Sequence, residues 1–457
     1  MAITWTDNAH RGHDGTVLVP LDYSNGTHGQ ISLAIRRLPA SVPARRRGVI
    51  VALNGGPGGN DGLGKDIVDK FVDSPLHEVY DIIGIDPRGW GDSAPLLAQT
   101  PLPQAPFDTR PPDSIFEVIA ADAAAREEAC EEYGGSARKR VTTRNVARDL
   151  DFIRTELGEE RLNIVGWAYG SLVGMVYGEM FPRECEKVVL DSCVGVDWGW
   201  QEQFQNALLS LEWNLDEWAS WATSTAPGNW LGCQDTADVR LALHAGATNI
   251  EAAQGSGVRT LFDGAVGRMT ADRSQWEALR DVVELASAAS GVDKVAAALS
   301  SETTWRPQDT KGRLRPAVLE ATTSETPWST DPHFYFEKMR HVRATCPYGF
   351  GVTRVQPWVS AFRTSEAIEP PTTFSKRQYP RGLIVQSEGD VFDPYIGGVE
   401  TARRLDHTLL TVKDSAAHEI FLLGEISAVD DIVNAYLLDE YPSMAEDLVV
   451  EATTVSG

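Results

Sequence analysis

Three segments, far apart along the chain, carry residue types that could together perform acyl-transfer chemistry. The first is Asn163-Ile164-Val165-Gly166-Trp167-Ala168-Tyr169-Gly170-Ser171. Glycines two positions before and two after residue 168 permit a sharp strand-to-helix turn, because side chains there would collide with the neighbouring strand and helix. Residue 168 then stands at the tip of the turn, at a helix N-terminus, where a nucleophile is expected. Alanine occupies that position and offers no nucleophilic atom. The second segment is the tail, where Glu388-Gly389-Asp390 follows one apolar run and Ser415-Ala416-Ala417-His418 follows the next. The third is Asn54-Gly55-Gly56-Pro57-Gly58-Gly59, whose four glycines free backbone N–H groups to turn toward a bound oxyanion. A phosphate-cradling loop fits less well, since no Lys-Ser/Thr follows and the GxGxxG spacing is absent.

Taken in chain order, residue 168, Asp390 and His418 reproduce the sequence nucleophile, acid, base that a serine hydrolase of the α/β-hydrolase fold uses. Of the nine histidines, His418 is singled out by its place after a strand near the C-terminus, downstream of an Asp. Ser171 cannot supply the missing hydroxyl, because three residues along a helix is close to one full turn from the tip of the elbow.

These residues need a scaffold. Short Val- and Ile-rich runs alternate with helical stretches through the first 195 residues, the pattern of a mostly parallel sheet covered by helices. Strands are expected at 48–53, 80–85, 162–166 and 187–190. From 196 to 369 the chain reads as helices with almost no β-branched run, a large lid inserted before the catalytic Asp. Phe204, Leu208, Leu211, Leu215 and Trp218 mark one apolar face of a long helix there. Ten of the thirteen tryptophans fall in this segment; most are expected to pack the lid and a few to line a cleft. Strands return at 382–386 and 408–412, followed by a terminal helix over 427–438. The expected organisation is therefore α/β: core 1–195, helical lid 196–369, core 370–457.

A chain of 457 residues allows up to three domains at about 150 residues each, or one large domain with an insertion. Its 41 Lys and Arg against 65 Asp and Glu give a net charge of −24, which repels polyphosphate and anionic lipid alike. Nucleic-acid and membrane partners are accordingly not expected. Neither a signal-peptide-like apolar stretch nor a run of about 18 apolar residues occurs, so a cytoplasmic protein is expected. The five cysteines are scattered without metal-ligand or CxxC spacing; no metal or other cofactor is expected.

The ordered set of motifs resembles the tripeptidyl-aminopeptidase-like and proline-iminopeptidase-like serine peptidases of the α/β-hydrolase fold. The matching residues are Val19-Pro20-Leu21-Asp22-Tyr23, the Asn54 to Gly59 loop, Asp86-Pro87-Arg88-Gly89-Trp90-Gly91-Asp92-Ser93, Thr142-Thr143, Asp149-Leu150-Asp151, Leu157-Gly158, the elbow, and Asp390 with Pro394. The resemblance implies a nucleophilic serine at the position of Ala168, Asp390 as the acid and His418 as the base. It implies oxyanion donors at the backbone N–H groups of Gly56 and Tyr169, and a scaffolding role for Asp86 to Ser93. Acidic lid residues of such aminopeptidases hold the substrate's ammonium group, which points to Glu325; Trp167 beside the elbow is also assigned to substrate binding. The chain departs from the pattern at Ala168, at Asp393 in place of Thr, and at Ala417 in place of Gly.

Ala168 admits two readings: a natural chain that lost its nucleophile and serves as a binding protein, or a serine-to-alanine form of an enzyme that holds substrate without turnover. Retention of the acid, base and oxyanion loop favours the second. The expected activity is amide or peptide hydrolysis through an acyl-enzyme, aminopeptidase-like, on a short peptide or small molecule. An amidase or esterase acting on an acylated or cyclic natural product is the alternative, since a Trp-rich lid suits a bulky apolar group.

Overall fold

Continuous apolar runs need cover on both faces, and the strands Gly48–Leu53 (β4), Tyr80–Ile85 (β5) and Leu162–Trp167 (β7) are buried at every residue. In the computed structural model, which describes residues 3–8, 12–24, 29–58, 63–225, 230–288, 290–300, 314–376, 378–441 and 445–452, they form the middle of a ten-stranded sheet. The other members are β1 (Thr4–Asn8), β2 (Gly12–Pro20), β3 (Gln30–Leu38), β8 (Cys185–Asp191), β10 (Leu383–Ser387), β11 (Thr408–Lys413) and β12 (Leu448–Glu451). Two short strands, β6 (Leu97–Ala98) and β9 (Arg315–Pro316), pair separately. The order across the large sheet is β1-β2-β3-β5-β4-β7-β8-β10-β11-β12. The first three strands run antiparallel to their neighbours, and from β5 to β12 every pairing is parallel.

No strand is expected from the sequence at β1 to β3, β6, β9 or β12. β2 and β3 alternate buried with exposed or half-buried positions, so no continuous apolar run marks them. Their arginines are instead tied down by ion pairs, Arg36 with Asp14 and Asp66 and Arg37 with Asp81.

A large helical insertion separates β8 from β10. Its longest helix, Trp200–Thr225, buries Leu211, Leu215 and Trp218 against Trp230, Phe262 and Trp276. The insertion therefore has an apolar core of its own, with Trp218, Trp230 and Trp276 among its members. Trp305 and Gly59 lie outside the described residues.

Motifs that are distant in sequence meet at one buried ion pair. Arg88 and Asp149 are both fully buried and joined by two hydrogen bonds of 2.6 and 2.7 Å. Tyr23 donates its hydroxyl to the same carboxylate at 2.8 Å, and Arg88 also donates to the carbonyls of Pro20, Leu21 and Arg140. A planar guanidinium with five N–H donors can bind loops from several directions at once, and here it ties the end of β2 and the turn before the helix Thr143–Leu157 to the segment after β5. Among the described residues no helix is long and apolar enough to cross a membrane, and all five cysteines are buried free thiols.

Candidate active site

β7 ends at Trp167 and the helix Tyr169–Met180 begins two residues later, leaving Ala168 alone to make the turn. It does so at φ 48° and ψ −118°, a conformation costly for a residue with a Cβ and characteristic of functional turns. The flanking glycines are required by contact: a Cβ on Gly166 would lie 2.2 Å from the Gly170 carbonyl oxygen, and one on Gly170 would lie 2.0 Å from that of Leu53. As first residue of its helix, Tyr169 has no carbonyl one turn back to receive its N–H. Ser171 is committed elsewhere, donating to the Ala168 carbonyl at 2.6 Å and accepting from the Val194 N–H.

The loop after β4 approaches this turn closely. A Cβ on Gly55 would fall 2.8 Å from the Cβ of Ala168. Gly56 adopts φ +130°, and a Cβ there would lie 2.5 Å from the Gly58 nitrogen, so glycine alone fits. Asn54 closes the loop by accepting from the Leu63 N–H at 2.7 Å.

Asp390 and His418, 28 residues apart, meet at the ends of β10 and β11. Nδ1 of His418 lies 3.0 and 3.1 Å from the two oxygens of Asp390. Asp390 is fully buried while the imidazole keeps about a fifth of its surface exposed. The Asp390 carboxylate also accepts the N–H groups of Phe392 and Asp393, which leaves it rigid. Burial opposes charge on the imidazole, but Asp390, with Asp393 and Glu419 behind it, outweighs that effect and holds the His418 pKa above the ordinary histidine value. Asp393, 3.8 Å from His418 Nδ1, has its own pKa raised, mainly by burial.

One residue that the sequence reading passed over joins these parts. The Asp191 carbonyl, at the end of β8, accepts the Ala168 N–H at 2.9 Å. Its carboxylate accepts the N–H groups of Ile420 and Phe421, two and three residues after His418, at 2.9 and 2.6 Å. Burial pushes this carboxyl up to about 7 against those donors. Its place at the C-terminal end of a parallel strand, where α/β sheets build sites, was the available signal.

One of the expected site residues lies elsewhere than anticipated. Trp167 is fully buried, stacked on Phe421, edge-on to Phe71, and donates its indole N–H to the Phe421 carbonyl. It packs beneath the elbow and does not line the substrate cleft expected for it. Glu325 is half-buried and held by three donors, the Thr143 N–H at 2.8 Å, the Thr143 hydroxyl at 2.7 Å and the Trp200 indole at 3.0 Å. Burial raises its pKa. It lines a cavity of about 370 Å³ together with Trp198, Trp200, Gln203 and Arg363. Ala168, Asp390 and His418 are not among the described residues that line this cavity.

The glycine-framed turn at 168, with an Asp–His pair at the neighbouring strand ends, decides the architecture. The chain has an α/β-hydrolase fold. In agreement, residues 48–232 match the family described as alpha/beta hydrolase fold, and residues 352–446 match TAP-like protein. The α/β-hydrolase chain is similar to the tripeptidyl aminopeptidase of Streptomyces coelicolor, 29% identical over 442 residues, covering 93% of this chain and 80% of that protein. It is also similar to the serine protease Hip1 of Mycobacterium tuberculosis, 25% identical over 457 residues, covering 93% of this chain and 84% of that one. A solved structure, the proline iminopeptidase of Mycobacterium smegmatis, aligns at 11% identity and TM-score 0.39 over 93% of this chain and 98% of that chain. This α/β-hydrolase is thus related at low to moderate identity to tripeptidyl-aminopeptidase-like serine hydrolases.

Proposed function

We propose that this protein is built for serine-hydrolase chemistry at residue 168, cleaving amide or peptide bonds near a free amino end. The observation that carries the reading is the strained turn at Ala168, tied through Asp191 to the loop that presents His418 to Asp390. In an Ala168→Ser form, Nε2 of His418 would take the hydroxyl proton as the oxygen attacks the carbonyl carbon. Asp390, on Nδ1, would hold the tautomer that leaves Nε2 free to accept. The N–H groups of Tyr169 and Gly56 would receive the oxyanion. The imidazolium would then protonate the departing amine, and water would release the acyl group by the same route.

The chain with alanine at 168 lacks the attacking atom, and we read it as a serine-to-alanine form that binds substrate without turning it over. The division into core 1–195, lid 196–369 and core 370–457 belongs to the same reading, with the lid selecting the substrate. The relatives named for peptidase activity favour a peptide over an ester. Glu325 remains the residue we assign to the substrate ammonium, because an incoming cation would stabilise the carboxylate that burial disfavours.

The test compares a tripeptide anilide with its N-acetylated copy on the Ala168→Ser protein. The free amine should be cleaved at least tenfold faster in kcat/KM. Equal rates, or preference for the acetylated form, would remove the aminopeptidase assignment in favour of an amidase or esterase and leave the hydrolase chemistry standing.

A further inference from the structure

Arg354 ends a short helical turn, Val352–Arg354, near the close of the insertion. Its guanidinium lies 5.5 Å from the ring centroid of Phe350 and 5.5 Å from that of Phe392. Phe392 in turn lies against the His418 imidazole, with ring centroids 4.9 Å apart. Laid end to end, these separations put the guanidinium no more than about 10 Å from the His418 ring. Both phenylalanines are exposed, at 39% and 41%, so the arginine is flanked by two partly exposed rings, one of them against His418.

The position of the charge is unusual for this protein. Arg88, Arg110, Arg138 and Arg259 each meet a carboxylate in an ion pair. Among the described residues no carboxylate, carbonyl or hydroxyl oxygen is hydrogen-bonded to the Arg354 guanidinium. The carboxylate that acts on it, Asp393, does so through space and is already engaged, accepting from Gln203 at 2.6 Å. Aromatic faces stabilise a cation weakly and accept none of its N–H donors in conventional hydrogen bonds. A guanidinium that is partly desolvated and still has its donor fork free is matched by a planar carboxylate, which it can bind through two parallel hydrogen bonds. Burial already works against this charge, and a bound carboxylate would offset that penalty.

We infer that Arg354, between Phe350 and Phe392, forms a subsite for a carboxylate of the substrate beside the Asp390–His418 pair. The inference rests on the hydrolase reading for its purpose and makes this enzyme selective for a peptide that carries a carboxylate close to the bond at residue 168. The carboxylate could be the free carboxyl end of a short peptide or the side chain of an Asp or Glu residue. An overall charge of −24 would repel such a substrate at long range, so discrimination has to come from this local contact.

Because the chain with Ala168 has no nucleophile, binding can be measured without turnover. Calorimetry should compare tetra-alanine with its carboxyl-terminal amide, and Ala-Ala-Ala-Asp amide with Ala-Ala-Ala-Asn amide. A charge-assisted pair predicts about ten- to hundredfold tighter binding for the carboxylate member of at least one comparison; which one identifies the source. Arg354→Gln should erase that preference while binding the amide members as the parent does, and Arg354→Lys should retain part of it. Equal affinity within both comparisons, a preference that survives Arg354→Gln, or equal weakening of all four peptides by Arg354→Gln would overturn the subsite. The outcome is separable from the hydrolase reading, since cleavage of peptides by an Ala168→Ser protein with no regard for carboxylates, or binding of carboxylates without cleavage, would decide the two questions differently.

Discussion

The Asp191 carbonyl accepts the N–H of Ala168 at 2.9 Å, while the carboxylate of the same residue accepts the two N–H groups that follow the residue after His418 is passed, those of Ile420 and Phe421. A single strand end thereby fixes the elbow relative to the histidine loop. The proposed nucleophile position and base come from segments some 250 residues apart, and proton transfer between them would need their spacing held to a fraction of an ångström.

Asp191→Ala should therefore damage both stability and chemistry. It strands two buried N–H donors at roughly 1–3 kcal/mol each, an expected fall of several degrees in Tm. The sign of its pH dependence follows from the raised pKa. The native state holds this proton more tightly than the unfolded chain, so the stability it contributes is full below the ordinary carboxylate value and is lost as pH rises toward about 7. Thermal melts of parent and variant at pH 5 and pH 8 should show the gap between them narrowing at the higher pH. A gap that widens would refute the assignment.

The cluster of carboxylates about His418 sets the pH profile of the Ala168→Ser enzyme. Only neutral imidazole can accept the hydroxyl proton, so activity rises with pH through the His418 pKa, which Asp390, Asp393 and Glu419 hold above the usual histidine range. Asp393→Thr should remain active and move the acid limb to lower pH, because one of the three carboxylates is gone. Asp390→Asn should instead cost on the order of 10⁴-fold in kcat by stabilising the wrong tautomer. Rate profiles in which Asp393→Thr is as inactive as Asp390→Asn would exchange the two roles.

Arg88 and Asp149 tie together motifs that do no chemistry. Asp149→Ala leaves a fully buried guanidinium without its carboxylate and takes the acceptor from Tyr23. Breaking a buried pair from one side costs about 3–5 kcal/mol, which urea unfolding should register. A loss below about 1 kcal/mol would show that solvent or neighbouring carbonyls replace Asp149.

Much of this architecture was legible in the sequence because local chemistry dictated it. Gly166 and Gly170 announce the elbow by the collisions they avoid, and β4, β5, β7, β8, β10 and β11 announce themselves as short clusters of Val, Ile and Leu. What stayed hidden depends on distant partners. β2 and β3 bury alternate residues and neutralise arginines through Asp14, Asp66 and Asp81, so their runs are broken by charge. Trp167 was misplaced because its position beside the elbow outweighed strand alternation, although that alternation sets it on the same face as Val165 and into the same core. Glu325 is marked in the sequence only by its place in the expected lid; its anchoring by Thr143, 182 residues earlier, leaves no local signal.

Residue 168 is proposed as the place of attack beside the Asp390–His418 pair. The most direct test is turnover of an activated ester and a peptide anilide by the Ala168→Ser protein, with covalent labelling by a fluorophosphonate probe read by intact mass. Loss of a triad nucleophile costs on the order of 10⁶-fold in turnover, so substitution should raise activity by a comparable factor and give a single adduct that His418→Ala abolishes. An Ala168→Ser protein that folds as the parent does, hydrolyses neither substrate and takes up no probe would contradict the account.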